Sequence, residues 1–152
     1  MAEAALTALR PMTEAERAAF RASFIAAWAA DLGVLEDLDE PAALALATAR
    51  TDADLATPGH RLYTIVAGER AVGSLWLSIG AHGQAFLEEV TVDVAARGCG
   101  HGRRAMILAE EVARAAGAQR LDLNVYEHNP RALALYDRLG YTTIKRTMRK
   151  LL

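Results

Sequence analysis

Large apolar side chains recur at helical spacing in the first third of this chain, and the pattern predicts two helices. Within residues 13–30, large apolar side chains lie three or four positions apart and follow the capping pair Thr13 and Glu16. A second helix is expected to begin at Pro41 and to run to about Arg50, because proline suits the first position of a helix. The polar residues 51–59 are then expected to form a loop.

Runs of β-branched and aromatic residues predict an antiparallel meander in the middle of the chain. These runs cover residues 62–67, 71–79 and 86–92, and a turn at residues 68–70 joins the first two into a hairpin. A further short strand is expected over residues 4–10, ahead of the first helix.

The last third of the chain predicts helix, strand, helix and strand. Residues 102–116 have helical spacing, and residues 121–125 alternate apolar and polar side chains as a strand does. Asn129 is expected to cap a helix that starts at Pro130. Residues 141–151 are expected to form the last strand.

The resulting order, β-α-α-β-β-β-α-β-α-β, predicts a single α/β domain over residues 1–152. More closely, it predicts an α+β arrangement, in which a mixed sheet carries helices on both faces. The 152 residues are 53% hydrophobic and 24% charged, which suits one globular domain with a core of useful size.

Charge and cysteine content narrow the expected partners and location. The net charge of −2 argues against nucleic acid, although Lys145, Arg146, Arg149 and Lys150 form a local basic cluster. Cys99 is the single cysteine, which suits a reducing compartment. The chain shows no secretory signal pattern and no uninterrupted run of about 18 apolar residues. We therefore expect a cytoplasmic protein without a membrane partner.

A glycine loop is the strongest chemical signal in the sequence. The run Arg97-Gly98-Cys99-Gly100-His101-Gly102 lies between a predicted strand and a predicted helix, and Arg103 and Arg104 follow it. Glycine permits positive φ and close approach, so successive N–H groups at a helix start can bind an anion such as phosphate. The spacing fits neither the dinucleotide fingerprint nor the nucleoside-triphosphate loop. A turn that only lets a strand pack on a helix remains the alternative.

A second constellation lies on the last predicted helix. Asn129 and Tyr136 are seven residues apart, so they share one helix face at a distance of about 10 Å along the axis. The cap and the phenol can therefore reach the same groove. The alternative is a core tyrosine and a cap with no further role.

Together the two constellations resemble the GCN5-related N-acetyltransferases. The loop matches the pattern R/Q-x-x-G-x-G/A, residues 129–141 match N-x-x-A-x-x-L-Y-x-x-x-G-F/Y, and the resemblance covers about residues 60–150. It implies the acyl-CoA N-acyltransferase fold and acetyl-CoA as cofactor, with the pantetheine arm along the backbone of the third meander strand and the pyrophosphate in the glycine loop. It assigns to the cofactor Val90, Thr91, Val92, Arg97, Gly98, Cys99, Gly100, His101, Gly102, Arg103, Asn129 and Tyr136.

The resemblance also implies roles in catalysis. Acyl transfer requires an uncharged amine and a proton for the departing thiolate. Tyr136 is the expected proton donor to the CoA sulfur, and the Val92 N–H is expected to polarise the thioester carbonyl. Some relatives carry a glutamate five residues before the motif asparagine, but this chain has Asn124 there, which cannot act as a base.

Glu88 and Glu89 are the remaining candidates for the base. Adjacent strand residues face opposite sides, so at most one of the two is expected to face the acceptor groove. Glu88 is preferred because it shares parity with Val90 and Val92, and a β-bulge would invert that choice. Either carboxylate can instead be a solvated surface group.

The acceptor is expected to be a primary amine of a small molecule or peptide. By the resemblance, it lies near the first two helices, where the candidate lining residues are Trp28, Asp31, Glu36, Asp37 and Asp39. The four histidines show no metal-ligand spacing, so no metal is expected. Alternatives are a non-catalytic acetyl-CoA-binding regulatory module and a phosphate-binding scaffold unrelated to acyl transfer. A homodimer is left open.

Overall fold

A computed structural model describes residues 7–152, which contain a five-stranded sheet and four α-helices. The sheet order follows the chain order, and all neighbours are antiparallel except the last pair, which is parallel. The α/β prediction and the antiparallel meander are therefore confirmed. The strands are β1 (Thr7–Pro11), β2 (His60–Ala67), β3 (Arg70–Ile79), β4 (Gln84–Val92) and β5 (Arg120–Leu123); the helices are α1 (Glu14–Leu35), α2 (Glu40–Ala56), α3 (His101–Ala115) and α4 (Pro130–Arg138).

One face of the sheet packs on α3. Small residues of α3, such as Ala105 and Ala109, are fully buried and let the helix approach Leu75, Leu77 and Leu87 of the sheet closely. Residues of α4 pack at the margin of this core, so α3 and α4 share that face.

The opposite face is covered by α1 and α2. Phe20 and Phe24 of α1 meet the buried ring of Trp76 edge-on, at centroid distances of 6.0 and 5.1 Å. Ile25 and Ala47 belong to a second apolar cluster, which joins α1 to α2. Helices thus lie on both faces, as predicted.

Several predicted boundaries are wrong. The capping box of Thr13 and Glu16 starts α1 as expected, but the helix continues to Leu35. Helix α2 continues to Ala56 through the expected loop, because Thr51 extends the buried stripe of Ala43 and Ala47 by one more turn. Strand β5 ends at Leu123, before Val125. The first strand begins at Thr7 in the described residues, and residues 4–6 of the predicted strand lie outside them.

The predicted last strand is also wrong, since residues 142–152 form neither strand nor helix. Their large apolar residues, Ile144, Met148 and Leu151, do not alternate with polar ones, so a strand would not present a single apolar face to the core. All three are exposed.

One described helix, α1, is long and apolar enough to span a membrane by length and composition alone. The apolar residues of this helix are interrupted by charged ones, such as Arg21 and Asp31. Arg21 forms an ion pair of 2.6 Å with Asp52 of α2. Its aromatic residues pack on the sheet through Trp76.

Candidate active site

The central feature of the site is the free edge of β4. Parallel pairing with β5 covers only residues 84–87, opposite residues 120–123. Strand β4 then continues to Val92, whereas β5 has ended. Residues 89–92 therefore pair with β3 on one side, and the other side is a groove between the two parallel strands.

The backbone groups that face this groove follow from the hydrogen-bond pattern. The Asp93 N–H donates to the Val72 carbonyl at 2.8 Å, so these two residues are a hydrogen-bonded pair of the antiparallel ladder. Alternation then directs the N–H groups of Val92 and Val90 away from β3, into the groove. The backbone of Thr91 points the other way, at Ser74 of β3, so Thr91 is not available for the pairing expected of it.

The glycine loop ends in an open helix start. Gly98 and Gly100 adopt φ values of 82° and 85°, and Gly100 is the N-cap of α3 without any side chain to cap it. The first N–H groups of α3, those of His101, Gly102 and Arg103, therefore lack intrahelical partners and lie at the positive end of the helix dipole. The space around a Cβ at Gly98 is empty to 4 Å, which leaves room for a ligand.

The side chains of the loop divide into two groups. The Arg97 Nε donates to the Val92 carbonyl at 2.9 Å, which holds the loop against the end of β4, and Arg103 is exposed beside it. His101 is buried, with Nδ1 2.9 Å from the Thr7 hydroxyl of β1. Cys99 is partly buried. The histidine is thus a structural residue that ties the start of α3 to the sheet.

The two motifs meet at Gly102. A Cβ built there would lie 3.7 Å from Val92 Cγ2 and 3.8 Å from Leu135 Cδ2, so the end of β4, the loop and α4 converge at one point. The Asn129 side chain caps α4 by accepting from the Ala132 N–H at 3.1 Å. Tyr136 lies about two turns beyond Asn129 along α4, half-buried.

A β-bulge changes the positions of the two candidate bases. Trp76 pairs with Glu89 but Leu77 pairs with Leu87, so Glu88 is an extra residue in β4. Glu89 therefore shares the face of Trp76, on the side of α1. The Glu88 carboxylate accepts from the Ser78 hydroxyl at 2.7 Å.

Both carboxylates consequently lie toward α1, because Ser78 follows Trp76 by two residues and shares its face. The expectation that these adjacent residues face opposite sides is wrong, because the bulge interrupts the alternation. The parity argument for Glu88 is also wrong, since Val90 and Val92 pack on the opposite core.

Glu89 is the electrostatic centre of the site. Burial raises the pKa of its carboxyl, and the nearby charge of Asp31 raises it further, against the hydrogen bond from Thr91. Burial, and then the charge of Glu89, raise the pKa of the Tyr136 phenol. The charge of the Glu89 carboxylate therefore acts on the Tyr136 phenol.

Tyr126 is a site residue that the sequence did not indicate. Burial raises the pKa of its phenol, with additional contributions from the charges of Asp31, Glu36 and Glu89. Its ring stacks on His128 at 5.2 Å and 10°, and 42% of the residue is exposed. The sequence feature that could have indicated Tyr126 is its position between β5 and the Asn129 cap of α4.

Three of the candidate acceptor-lining residues lie in or next to the first two helices. Trp28 packs on Phe24 at 5.8 Å beside the core of α1 and α2. Asp39 is the N-cap of α2 and accepts from the Ala42 N–H at 2.8 Å. Asp37 is exposed in the turn between the two helices. No group of three or more His, Cys, Asp or Glu residues in the described part of the chain is placed to hold a metal ion.

Comparison with known proteins identifies the family. The family model described as "Acetyltransferase (GNAT) family" matches residues 23–141. The chain belongs to the GNAT acetyltransferase family. The match includes both sequence motifs, the free edge of β4 and most of α1.

Two GNAT relatives come from Bacillus subtilis. YycN, named an uncharacterized N-acetyltransferase, is 33% identical over 91 residues, 57% of this chain and 58% of its own length. YdgE, with the same description, is 39% identical over 86 residues, 55% of this chain and 54% of its own. The matches therefore span little more than half of each relative.

Solved structures show the same GNAT fold. The crystal structure of YycN has a TM-score of 0.85 at 25% identity, covering 96% of this chain and 98% of that chain. AAC(6')-Iy, solved with the bisubstrate analogue CoA-S-monomethyl-acetylneamine, has a TM-score of 0.60 at 15% identity over 96% of this chain and 97% of that chain. At 15% identity, the similarity to AAC(6')-Iy is evidence for a shared fold and not for a shared substrate.

Proposed function

We propose that this protein is an N-acetyltransferase that transfers the acetyl group of acetyl-CoA to a primary amine of a small molecule or peptide. The observation that supports this most is the convergence at Gly102 of the free β4 edge, the open start of α3 and the helix that carries Tyr136. A cytoplasmic location is part of the proposal, since the single cysteine suits a reducing compartment.

The residues present suit acetyl-CoA. The uncapped start of α3 and the open space at Gly98 match a pyrophosphate, and the outward N–H groups of Val90 and Val92 match the amides of a pantetheine arm. The exposed Arg103 adds positive charge beside the phosphates. Acetyl-CoA supplies the thioester whose C–S bond breaks as the amine nitrogen forms the new C–N bond.

Each remaining step falls to a residue of this chain. Glu89, whose carboxyl pKa is raised, accepts the proton that the acceptor ammonium must lose. The Val92 N–H stabilises negative charge on the carbonyl oxygen. Tyr136, whose phenol keeps a raised pKa through burial, donates its proton to the sulfur.

The test is acetyl-CoA turnover with a panel of amines, followed by Tyr136→Phe. We expect this variant to lower kcat by about a hundredfold, within the range that general acid catalysis contributes, with acetyl-CoA binding retained. Tyr63→Phe, in β2 and remote from the groove, is the matched control and is expected to leave kcat unchanged.

An unchanged rate in Tyr136→Phe would exclude the proton-donor role. Tight acetyl-CoA binding without product from any amine or peptide would contradict the proposed enzymatic activity and favour a regulatory module. Asn124 supports that alternative, since some relatives carry a glutamate at this position.

A further inference from the structure

Thr91 is a residue of the free β4 edge that the proposed function does not use. Its backbone points at Ser74 of β3 and not into the groove, so it does not pair with a pantetheine arm. Successive side chains of a strand alternate between the two faces, and no bulge separates Thr91 from Glu89. The Thr91 side chain therefore lies on the face of Trp76 and Glu89, toward α1.

The hydroxyl group of Thr91 is bonded to the candidate base. Its Oγ1 donates to Oε1 of Glu89 at 2.5 Å, two positions earlier on the same strand face. Among the residues that the structure describes, no other hydrogen bond reaches this carboxylate. Because the bond occupies Oε1, the second oxygen, Oε2, is the atom that can take a proton from the acceptor.

The neighbouring carboxylate, that of Glu88, has a hydrogen-bond donor of its own. The Ser78 hydroxyl, from β3, donates to Glu88 Oε1 at 2.7 Å. The pairs Ser78 with Glu88 and Thr91 with Glu89 share no residue. Removing one hydroxyl therefore affects one carboxylate, and the other pair is a matched control.

The other titratable groups that interact electrostatically with Glu89 do not favour its charged form. The negative charge of Asp31, on α1, raises the pKa of the Glu89 carboxyl. The Glu89 charge raises the pKa of Tyr126, before α4, and of Tyr136, on α4. Strand β3 places the uncharged Trp76 opposite it.

Thr91 acts in the opposite direction to these groups and to burial. Its hydrogen bond lowers the pKa of the Glu89 carboxyl, because a donor stabilises the charged form. The charged form is also the one that can accept a proton from an amine. Threonine suits this role, since its branched side chain has restricted rotation and keeps the hydroxyl in one direction.

We propose that Thr91 is a positioning residue for acyl transfer: its hydroxyl holds Oε1 of Glu89, so that the charged carboxylate presents Oε2 to the acceptor amine. This inference rests on the proposed function, because it takes Glu89 as the base. In the step itself an N–H bond of the acceptor ammonium breaks and an O–H bond forms at Oε2. Water takes up that proton before the next turnover, and Thr91 keeps its own.

The test is the pH profile of kcat/KM in Thr91→Val, which keeps the shape of the side chain but lacks the hydroxyl. Without the donor, the pKa of Glu89 should rise further, so the acid limb of the profile should move to higher pH. We expect kcat/KM on that limb to fall by about tenfold. Thr91→Ser keeps the donor and should restore the unaltered profile. A purely structural defect would lower kcat/KM at every pH without moving the limb.

Ser78→Ala is the matched control, because it removes the donor of Glu88 and leaves that of Glu89 in place. Its acid limb should coincide with that of the unaltered protein. In a Glu89→Gln background, Thr91→Val should change kcat/KM by less than about twofold, since Thr91 acts through Glu89. An unmoved limb in Thr91→Val, or an equal movement in Ser78→Ala, would overturn the proposal.

Carbon-13 NMR titration of the Glu89 carboxyl separates this inference from the proposed function, because it needs no turnover. A midpoint that moves to higher pH in Thr91→Val, and returns in Thr91→Ser, supports the hydrogen bond that the inference requires. If no amine is then acetylated, the proposed function fails and the contact stands. Turnover of amines with an unmoved midpoint contradicts the role of Thr91 and leaves the acetyltransferase standing.

Discussion

Glu89 lies directly opposite Trp76 in the ladder between β3 and β4. The pairing depends on the extra residue Glu88, because without it Glu89 would share the face of Leu87 and its carboxylate would enter the apolar core under α3. The bulge thus turns one charged side chain out of the apolar core and toward α1, where the charge of Asp31 acts on it. It also occurs where β4 leaves β5, so the same irregularity lies at the start of the free edge.

We expect Glu89→Gln to lower kcat/KM by about a hundredfold or more, because an amide cannot accept the ammonium proton. Glu88→Gln, which keeps the length of the bulge and an acceptor for Ser78, is expected to change it by less than about threefold. The pH profile should rise with pH as Glu89 loses its proton, with an apparent pKa above the usual value for glutamate. A larger loss in Glu88→Gln would reverse the assignment.

The same raised pKa predicts that Glu89→Gln stabilises the fold at neutral pH. The folded protein holds the Glu89 proton more tightly than the unfolded chain does, so the free energy of unfolding falls as pH rises from about 4.5 through the raised native pKa. Glutamine removes this loss. Urea denaturation should show the variant to be the more stable protein at pH 7, with the difference shrinking toward pH 4. A less stable variant at pH 7 would contradict the pKa direction.

Gly98→Ala should weaken acetyl-CoA binding beyond its effect on stability. Gly98 has a φ of 82° and Gly68, in the hairpin between β2 and β3, has a φ of 61°, and neither has an atom within 4 Å of a built Cβ. Alanine should therefore destabilise each site by about 1 kcal/mol through the left-handed backbone alone. Thermal melts should show similar losses for the two variants, whereas calorimetry should show weaker acetyl-CoA binding for Gly98→Ala only.

Gly73→Ala should disrupt the pairing of β3 with the end of β4. A Cβ there would lie 2.1 Å from the Thr91 carbonyl oxygen, which is backbone of the neighbouring strand and cannot move without opening the ladder. We expect a loss of about 2 kcal/mol or more in the free energy of unfolding. Gly80→Ala is the control, since its Cβ would meet the flexible Gln84 side chain at 3.2 Å and the Gln84 carbonyl oxygen at 3.5 Å, which is an ordinary contact. Equal stability for the two variants would show that the strands separate easily.

Glu16→Gln should remove a pH-dependent stabilisation at the start of α1. Hydrogen bonds from Arg10, and then from the Thr13 N–H, lower the pKa of Glu16 to about 2. A lowered native pKa contributes stability that is present above about pH 4.5 and is lost as pH falls toward 2. Denaturation should therefore show the unaltered protein ahead at pH 7 and level with the variant near pH 2. An advantage of the unaltered protein that stayed the same from pH 7 to pH 2 would contradict this direction.

The sequence alone determined the local features of this protein. The capping pair of α1, the hairpin at Gly68, the glycine loop and the cap at Asn129 depend on residues close together in the chain, and the structure contains all four. The resemblance to the acetyltransferases rested on two such local motifs and was confirmed by the family match. The ends of the helices were predicted less well. Helix α2 continues past Arg50 because Thr51 is buried, and that burial depends on the elements against which α2 packs.

Only the tertiary structure decided how these pieces form a site. A bulge depends on the register of β4 against β3, which no spacing within β4 reveals, and it moved Glu89 to the face of Trp76. The meeting of Val92, Gly102 and Leu135 requires three elements to pack together. The charges around Tyr126 come from helix α1 and strand β4, far away in the chain, so the pattern of residues near Tyr126 gave no sign of them.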